Sequence, residues 1–346
     1  MSAPGSQGAE GRALHAVPEV ATEKLTIAQA VRDAMLLEME RDEKVLVLGE
    51  DVGVDGGVFR ATDGLIERFG SERVIDMPLA ESSIIGMSVG LAATGFRPVA
   101  EIQFMGFVYP AINQLFGHAA RMRNRTRGRL TCPMVVRMPY GGGIQPPEHH
   151  SESYEALFLN TPGFKVVIPS NPHDAKGLLT AAIRDEDPVL FMEPKRIYRA
   201  FREAVPADSF TVPIGKAHVA RKGTDVTLIS WGSMVRLCLD AAEVLAREAI
   251  DAEVVDLRTL NPLDRETMIE SVVKTGRAVV VHEAPRTAGF GAEIVTQINE
   301  HALLQLEAPV QRVTGFDVIF PLAHNEKHYL PSRERILAAV QSTLQF

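Results

Sequence analysis

Short, almost wholly apolar segments alternate with amphipathic segments along this chain, and this alternation limits the folds that are open to it. The apolar segments predict buried strands at 44–49, 97–104, 133–138, 164–168 and 189–192. Between them, the stretches 27–40 and 174–184 place apolar residues at helical spacing. Because strands without polar alternation need cover on both faces, the sequence predicts an α/β domain with a mainly parallel sheet.

The alternation returns in the second half of the chain, after a polar stretch that contains prolines. It predicts strands at 226–230, 252–257, 278–281 and 310–314, helices at 237–247, 267–274 and 291–304, and a terminal helix capped by Ser332. A length of 346 residues suits two such domains. The predicted boundaries are a mobile N-terminal tail at 1–23, a first domain at 24–200, a linker at 201–215 and a second domain at 216–346.

Composition excludes several classes of protein. The 36 Lys and Arg against 44 Asp and Glu give a net charge of −8, which disfavours nucleic-acid binding, and the basic run 121–129 lacks aromatic residues. We interpret this basic run as the end of a helix or as a contact surface for an anion or a partner. Two cysteines, Cys132 and Cys238, are too few for a disulfide framework or a thiolate metal cluster.

The chain also lacks the sequence marks of a membrane or secreted protein. No apolar run approaches the ~18–20 residues that span a bilayer, and residues 1–21 contain no apolar signal core. We therefore expect a cytoplasmic protein that does not enter a membrane.

Three motifs suggest chemistry that their surroundings do not favour. The segment 86–90 fits the Gly-x-Ser-x-Gly turn of serine hydrolases, but helix-start signals before it place Ser88 inside a helix. A serine hydrolase using Ser88 and a non-catalytic scaffold chain remain the alternatives from other classes. The glycines at 289 and 291 lack the third small residue of a dinucleotide fingerprint. His324 and His328 have metal-ligand spacing, but the flanking prolines favour a loop.

Two sites combine a titratable group with a constrained setting. Glu81 begins a predicted helix of small apolar residues, where a carboxylate either complements the helix N-terminus or, if buried, exchanges a proton. The loop 141–153 contains three glycines and two prolines and presents the pair His149 and His150. Such loops are often held over a site, so one of the two histidines is a candidate for proton transfer, with a surface pair as the alternative.

Several ordered motifs together resemble one family. They are Leu79-Ala-Glu-Ser, Glu101-Ile-Gln-Phe-Met-Gly-Phe107, Gly141-Gly-Gly-Ile-Gln-Pro-Pro-Glu-His-His-Ser151, Asp174-Ala-Lys-Gly-Leu-Leu, Ile183-Arg-Asp-Glu-Asp-Pro188, Ser230-Trp-Gly, Val255-Asp-Leu-Arg-Thr259 and Lys274-Thr-Gly-Arg277. From about Lys24 to Phe346 the chain resembles the beta chain of the thiamin-diphosphate-dependent first component of 2-oxo acid dehydrogenase complexes, of the pyruvate or branched-chain type. The resemblance implies a pyrimidine-binding domain followed by a transketolase-type C-terminal domain.

The resemblance also implies roles for individual residues. Glu81 would hydrogen-bond N1′ of the thiamin aminopyrimidine and favour the tautomer that removes the thiazolium C2 proton. Phe107 would pack on the pyrimidine ring, with Gln103 and Leu79 lining its pocket, and His150 would assist substrate binding or acyl transfer to lipoamide. The implied reaction is decarboxylation of a 2-oxo acid, with pyruvate favoured over branched-chain acids.

The family pattern for binding magnesium and diphosphate, Gly-Asp-Gly followed by Asn-Asn, is absent from this sequence. The expected partner is therefore an alpha chain that carries the Mg²⁺ and diphosphate ligands, in an α2β2 assembly with the active site between chains. The lipoyl acyltransferase would dock through its subunit-binding domain on the second domain, with Glu307 and Phe346 as candidate contacts. A structural potassium ion is implied near Met134, Val135, Ala182, Asp185 and Asp187.

Overall fold

A computed structural model describes residues 21–346. Most of the predicted N-terminal tail lies outside these residues. Its last part does not: the first strand, β1 (Thr22–Leu25), begins two residues inside the stretch predicted as tail.

The first domain is a parallel sheet with helices on both faces. Its further elements are α1 (Ile27–Arg41), β2 (Val45–Gly49), α2 (Leu65–Phe69), β3 (Val74–Asp76), α3 (Glu81–Ala93), β4 (Arg97–Glu101), α4 (Ile112–Gly117), α5 (Met122–Arg125), β5 (Val135–Tyr140), α6 (Glu155–Leu159), β6 (Lys165–Val167), α7 (Pro172–Arg184) and β7 (Val189–Pro194). Strands β2, β5 and β7 are buried along their whole length, which is why they are mostly apolar; Arg137 of β5 and Glu193 of β7 are the charged exceptions. Helix α1 begins at a capping box formed by Thr26 and Gln29.

The second domain repeats the architecture with a smaller sheet. Its elements are β9 (His218–Arg221), β10 (Val226–Ser230), α8 (Ser233–Arg247), β11 (Ala252–Asp256), β12 (Thr259–Asn261), α9 (Arg265–Thr275), β13 (Ala278–Val281), α10 (Gly291–Ala302), β14 (Gln311–Val313), α11 (Ala323–Tyr329) and α12 (Arg333–Leu344). The strand order is β14-β13-β10-β11-β9, parallel except at β9. The two domains confirm the predicted α/β class. The Ser332 cap is also confirmed, since its side chain accepts from Arg335 N–H.

The domain junction differs from the sequence prediction. Strand β12, from the second half of the chain, pairs antiparallel with β6 and extends the first sheet to the order β12-β6-β7-β5-β4-β2-β3. The segment 201–215, predicted as a linker, contains strand β8 (Glu203–Pro206), which pairs with β1. Val212 of the same segment is buried in the core formed by α1 and α7. The segment is therefore packed against the first domain rather than a free linker. Its contacts are with residues distant in sequence, which the periodicity of the segment itself does not indicate.

Two motif predictions have clear outcomes. Ser88 lies inside α3, fully buried, and its Oγ donates to the carbonyl oxygen of Ile84 at 2.8 Å, so it is not a hydrolase nucleophile. The loop prediction for 324–328 is wrong, because His324 and His328 lie on helix α11. That short helix is stabilised by its buried residues Glu326 and Tyr329, which pack against other parts of the chain.

In residues 21–346, none of the helices combines the length and the apolar character that crossing a membrane requires. The same residues contain no cluster of three or more His, Cys, Asp or Glu placed to bind a metal ion.

A buried ion triad joins three neighbouring strands of the first sheet. Arg137 of β5 donates from Nη1 to Glu101 of β4 at 2.7 Å and from Nε and Nη2 to Glu193 of β7 at 2.7 and 2.9 Å. None of the three side chains is more than 3% exposed. The hydroxyl of Tyr198 also donates to Glu193. Every charge in the triad therefore has a bonded partner, which buried charges require.

We predict that Arg137→Met lowers the free energy of unfolding by about 3–5 kcal/mol, because it leaves two buried carboxylates without their cation. Denaturant unfolding of the purified chain measures the change. The matched control is Arg123→Met, which removes an exposed ion pair with Asp187 and costs less than about 1 kcal/mol. Equal losses in the two variants would contradict the role assigned to the triad.

Candidate active site

Helix α3 presents Glu81 as its first residue. The residue before it, Ala80, forms no side-chain cap, so the acidic side chain lies at the positive end of the helix. Glu81 is 8% exposed, and no side chain or amide of the described residues donates a hydrogen bond to its carboxylate. Leu79, two residues earlier, is 81% exposed. Helix α3 therefore begins with a largely buried carboxylate that has no bonded partner among the described residues, two residues after an exposed apolar side chain.

Further acidic groups surround Glu81. Glu50 follows β2 and is buried, with Oε1 lacking any hydrogen-bond partner. Burial raises the pKa of Glu50, and the nearby carboxylates of Glu81, Asp51 and Glu101 raise it further. Gln103, at the end of β4, donates from Nε2 to Asp51 at 3.1 Å. Because like charges disfavour one another's ionisation, these neighbours favour the protonated form of Glu50.

Aromatic rings group around His150. The imidazole lies 4.9 Å from the ring centroid of Phe107 and 4.5 Å from that of Phe104, both in edge-to-face contact. Phe107 belongs to a 3-10 helix at Met105–Ala111 and packs on the core that contains Ile84 and Ile85 of α3. The structure thus brings the predicted residues His150 and Phe107 together, on elements adjacent to the helix of Glu81.

The two neighbouring histidines have different surroundings. His149 Nδ1 lies 3.3 Å from Glu152 Oε1, and its ring stacks on Tyr109 with centroids 5.8 Å apart. His149 also has a φ of +70°, and a Cβ on Gly106 would lie 2.2 Å from the His149 carbonyl oxygen. His149 is therefore fixed by backbone and carboxylate contacts. Its ring lies 5.9 Å from the centroid of Phe107, whereas the ring of His150 lies closer, at 4.9 Å.

Carboxylates of the second domain hold the loop 141–153. The amide of Gly142 donates to Glu283 Oε2 at 2.9 Å, and the amide of Gly143 donates to Glu326 Oε1. Gly141 has a φ of +78°, and a Cβ there would lie 2.6 Å from Glu283 Oε2. Glu283 also accepts from the hydroxyl of Ser233. Burial raises the pKa of Glu283, while these hydrogen bonds lower it. The loop 141–153 of the first domain is consequently held in place by side chains of the second domain.

A buried lysine lies beneath this loop. Lys195 follows β7, is 3% exposed, and donates from Nζ to the carbonyl oxygen of His150. Its ammonium also lies 5.2 Å from the centroid of the Phe104 ring. The sequence analysis did not identify Lys195, Glu50, Glu283 or Glu326. For the first three the position just after a predicted parallel strand is the signal that could have found them, since sites collect at the carboxyl ends of such strands.

The residues predicted for potassium binding gather where α7 ends beside the start of β5. The carbonyl of Met134 accepts from Val189 N–H at 3.0 Å, and the carbonyl of Ala182 accepts from Asp185 N–H at 3.2 Å. Val135 is the first residue of β5. The carboxylates of Asp185 and Asp187 pair with Lys165 and Arg123 at 2.5 and 2.6 Å. A potassium ion here would therefore depend on backbone carbonyl oxygens.

Glu81, Gln103 and Phe107 do not line any of five clefts of about 380 to 900 Å³ in the described residues. One of about 560 Å³ borders the loop through Gly143 and Arg196. The carboxylate of Glu81 can accept a hydrogen bond, and the nearby aromatic and apolar side chains can contact a flat apolar group.

Comparisons with known proteins agree with this geometry. The family described as "Transketolase, pyrimidine binding domain" matches residues 23–200, and the family "Transketolase, C-terminal domain" matches residues 215–336. The "Pyruvate dehydrogenase E1 component subunit beta" of Bacillus subtilis is 53% identical over 323 residues, covering 93% of this chain and 99% of that protein. The protein of the same name from Acholeplasma laidlawii is 52% identical over 317 residues, covering 92% and 97%.

A solved structure gives the same result at lower identity. A chain titled "Split gene transketolase, inactive beta4 tetramer" superimposes with a TM-score of 0.76 and 25% identity, covering 93% of this chain and 99% of that one. Similarity therefore extends over both domains.

Proposed function

This chain belongs to the family of beta subunits of the pyruvate dehydrogenase E1 component, and on that premise we propose that it acts with an alpha chain in the oxidative decarboxylation of a 2-oxo acid, passing the acyl group to lipoamide. The family is thiamin-diphosphate-dependent and its members are 2-oxo acid dehydrogenases. The observation that supports the proposal most directly is Glu81, a largely buried carboxylate at the start of α3 that has no hydrogen-bond partner among residues 21–346.

The residues around Glu81 fit the aminopyrimidine of thiamin diphosphate. An unpaired carboxylate would hold N1′ of the ring, and Phe107 would pack on its face. Gln103 and Leu79 would line the pocket. The side chain of Leu79, which is exposed in this chain, would form an apolar part of its wall. When bound, the cofactor supplies the carbon nucleophile and the electron sink that decarboxylation of a 2-oxo acid requires.

In this proposal the residues of this chain exchange a proton with the cofactor ring and orient the substrate. Glu81 would exchange a proton with N1′ of the ring, and its acidic neighbour Glu50 has a raised pKa caused by burial and by nearby carboxylates. His150 faces the same region from the loop 141–153, where its imidazole would orient the substrate carboxylate or assist acyl transfer. The edge-to-face rings of Phe104 and Phe107 fix the plane of that imidazole.

The proposed partner is an alpha chain that closes the open side of the site in an α2β2 assembly. It would carry the ligands of Mg²⁺ and of the cofactor diphosphate, because this sequence lacks the Gly-Asp-Gly and Asn-Asn pattern. Docking of the lipoyl acyltransferase remains a proposal for the second domain. Phe346 is 81% exposed there, whereas the carboxylate of Glu307 is already paired with Arg277 at 2.6 Å. Potassium near Met134 and Asp185 remains a proposal as well.

We predict that Glu81→Gln lowers kcat of the reconstituted alpha–beta pair by about 10²-fold or more, because an amide cannot exchange the proton at N1′. Initial rates of carbon dioxide release at saturating thiamin diphosphate measure the effect. Glu67→Gln is the matched control, an exposed glutamate in the first turn of α2. Near-normal turnover in Glu81→Gln would favour a scaffold chain without a catalytic role.

The two histidines are separated by a second comparison. We predict that His150→Ala reduces lipoamide-dependent turnover about 10²-fold, and more than it reduces decarboxylation followed with an artificial electron acceptor. His149→Ala is the matched control, because its ring stacks on Tyr109 and lies farther from the Phe107 ring than that of His150, at 5.9 against 4.9 Å between centroids. A larger loss in His149→Ala would transfer the proposed role to that residue.

The substrate proposal is pyruvate, supported by the names of the relatives, with branched-chain 2-oxo acids as the alternative. We predict that the alpha–beta pair has a higher kcat/KM for pyruvate than for 3-methyl-2-oxobutanoate. The assay is lipoamide-dependent turnover of both acids with the same enzyme, and beta chain alone serves as the control without activity. A preference for the branched acid would establish the alternative.

A further inference from the structure

Lys195 occupies a position that the proposed chemistry does not explain. It is the first residue of a 3-10 helix, Lys195–Ile197, directly after β7. Strand β5 is the neighbour of β7 in the sheet and leads to the loop 141–153. Strand β4 is the next strand beyond β5 and leads to Phe104. A lysine that is only 3% exposed must have partners there, since an unpaired buried ammonium is strongly unfavourable.

The partners of Lys195 flank His150 on two sides. Its Nζ donates to the carbonyl oxygen of His150, which holds the backbone of that residue. The same ammonium lies over the ring of Phe104 at 5.2 Å, and that ring contacts the imidazole of His150 at 4.5 Å between centroids. One cation therefore contacts both the main chain of His150 and the aromatic ring against which its side chain rests.

The charges that face Lys195 come from three parts of the fold. They are Glu152 of the loop, Glu283 after β13 and Glu326 of α11, and the neighbouring cation is Arg196. Each carboxylate also accepts a loop amide: Glu152 from Ser151 at 3.0 Å, Glu283 from Gly142 at 2.9 Å and Glu326 from Gly143. The carboxylates thus hold the amides of the loop while the ammonium holds a carbonyl and balances their charge.

We propose that Lys195 is a positioning residue for His150, holding the loop 141–153 in the conformation that presents its imidazole to the site. This inference rests on the proposed function, because it assigns Lys195 to the step in which His150 acts. Lys195 itself contacts neither substrate nor cofactor in this scheme.

Protonation of Lys195 links the loop to pH. Burial lowers the pKa of Lys195 to about 8, although Glu283, Glu152 and Glu326 favour the charged form. Above that pH the ammonium loses its proton and the charge balance of the network. Deprotonation of Lys195 does not weaken the fold. Its pKa in the folded state is lower than in the unfolded state, so between about pH 8 and 10.5 the unfolded state binds the proton more tightly. The contribution of Lys195 to the free energy of unfolding therefore rises with pH in this range.

The test compares Lys195→Met and Lys195→Arg in the reconstituted alpha–beta pair. Lys176→Met is the matched control, another buried lysine that bonds the carbonyls of Pro206 and Ala207, away from the loop. Lipoamide-dependent turnover, decarboxylation with an artificial acceptor and Tm are measured from pH 6.5 to 9.5. Hydrogen exchange of the peptide 141–153 reports loop order without requiring turnover.

In Lys195→Met we expect at least a tenfold loss of lipoamide-dependent turnover, a smaller loss of decarboxylation and at least tenfold faster exchange of the loop amides. Lys195→Arg, which stays charged, should recover most of the rate at pH 7 and shift the alkaline decline of activity to higher pH. Lys176→Met should lower Tm without changing the ratio of the two rates.

Three results would overturn the inference. They are an unchanged rate ratio with unchanged exchange in Lys195→Met, an equal fall of both rates that follows Tm, or an alkaline decline that is the same in Lys195→Arg and wild type. A wild-type pair that turns over no 2-oxo acid would overturn the proposed function instead. Faster loop exchange in Lys195→Met would then still support the holding of the loop by this lysine.

Discussion

The ion triad of Arg137, Glu101 and Glu193 is the interaction on which the site depends most. It joins β4, β5 and β7 near the edge where each strand leads into the residues that define the site. Strand β4 continues to Gln103 and the aromatic rings, β5 to the histidine loop, and β7 to the buried lysine. Because the guanidinium binds both carboxylates directly, the spacing of the three strands is set by hydrogen-bond geometry rather than by apolar packing alone.

A second set of buried polar groups makes the two domains one structural unit. Glu155 of the first domain accepts from Trp231 Nε1 at 3.3 Å, and burial raises the pKa of this carboxyl to about 7. The indole of Trp231 stacks on His282, whose pKa burial lowers to about 3. Strand β12 completes the first sheet from the second half of the chain. The loop that carries His150 is therefore sensitive to residues far away in sequence.

The two sides of the candidate site differ in how many contacts their side chains make. On the inner side, Phe104, Phe107 and His150 contact one another, and carboxylates bind the loop amides. On the outer side, Leu79 is exposed and the carboxylate of Glu81 has no bonded partner among the described residues. Exposed apolar side chains of this kind often mark a surface that contacts a partner. The physical features of the site thus agree with the proposal of an alpha partner.

The sequence by itself determined the α/β class, most strands and helices, the position of Glu81 at a helix start and the burial of Ser88 within a helix. These features follow from periodicity and capping, which act over a few residues. Sequence motifs also identified the family and, through it, predicted roles for His150 and Phe107. Only the tertiary structure decided that 259–261 joins the first sheet, that 201–215 is packed, that 324–328 is helical, and that Lys195, Glu283 and Glu326 surround the loop. Each of these depends on contacts between residues distant in sequence, whose free energy arises only when both partners are buried together.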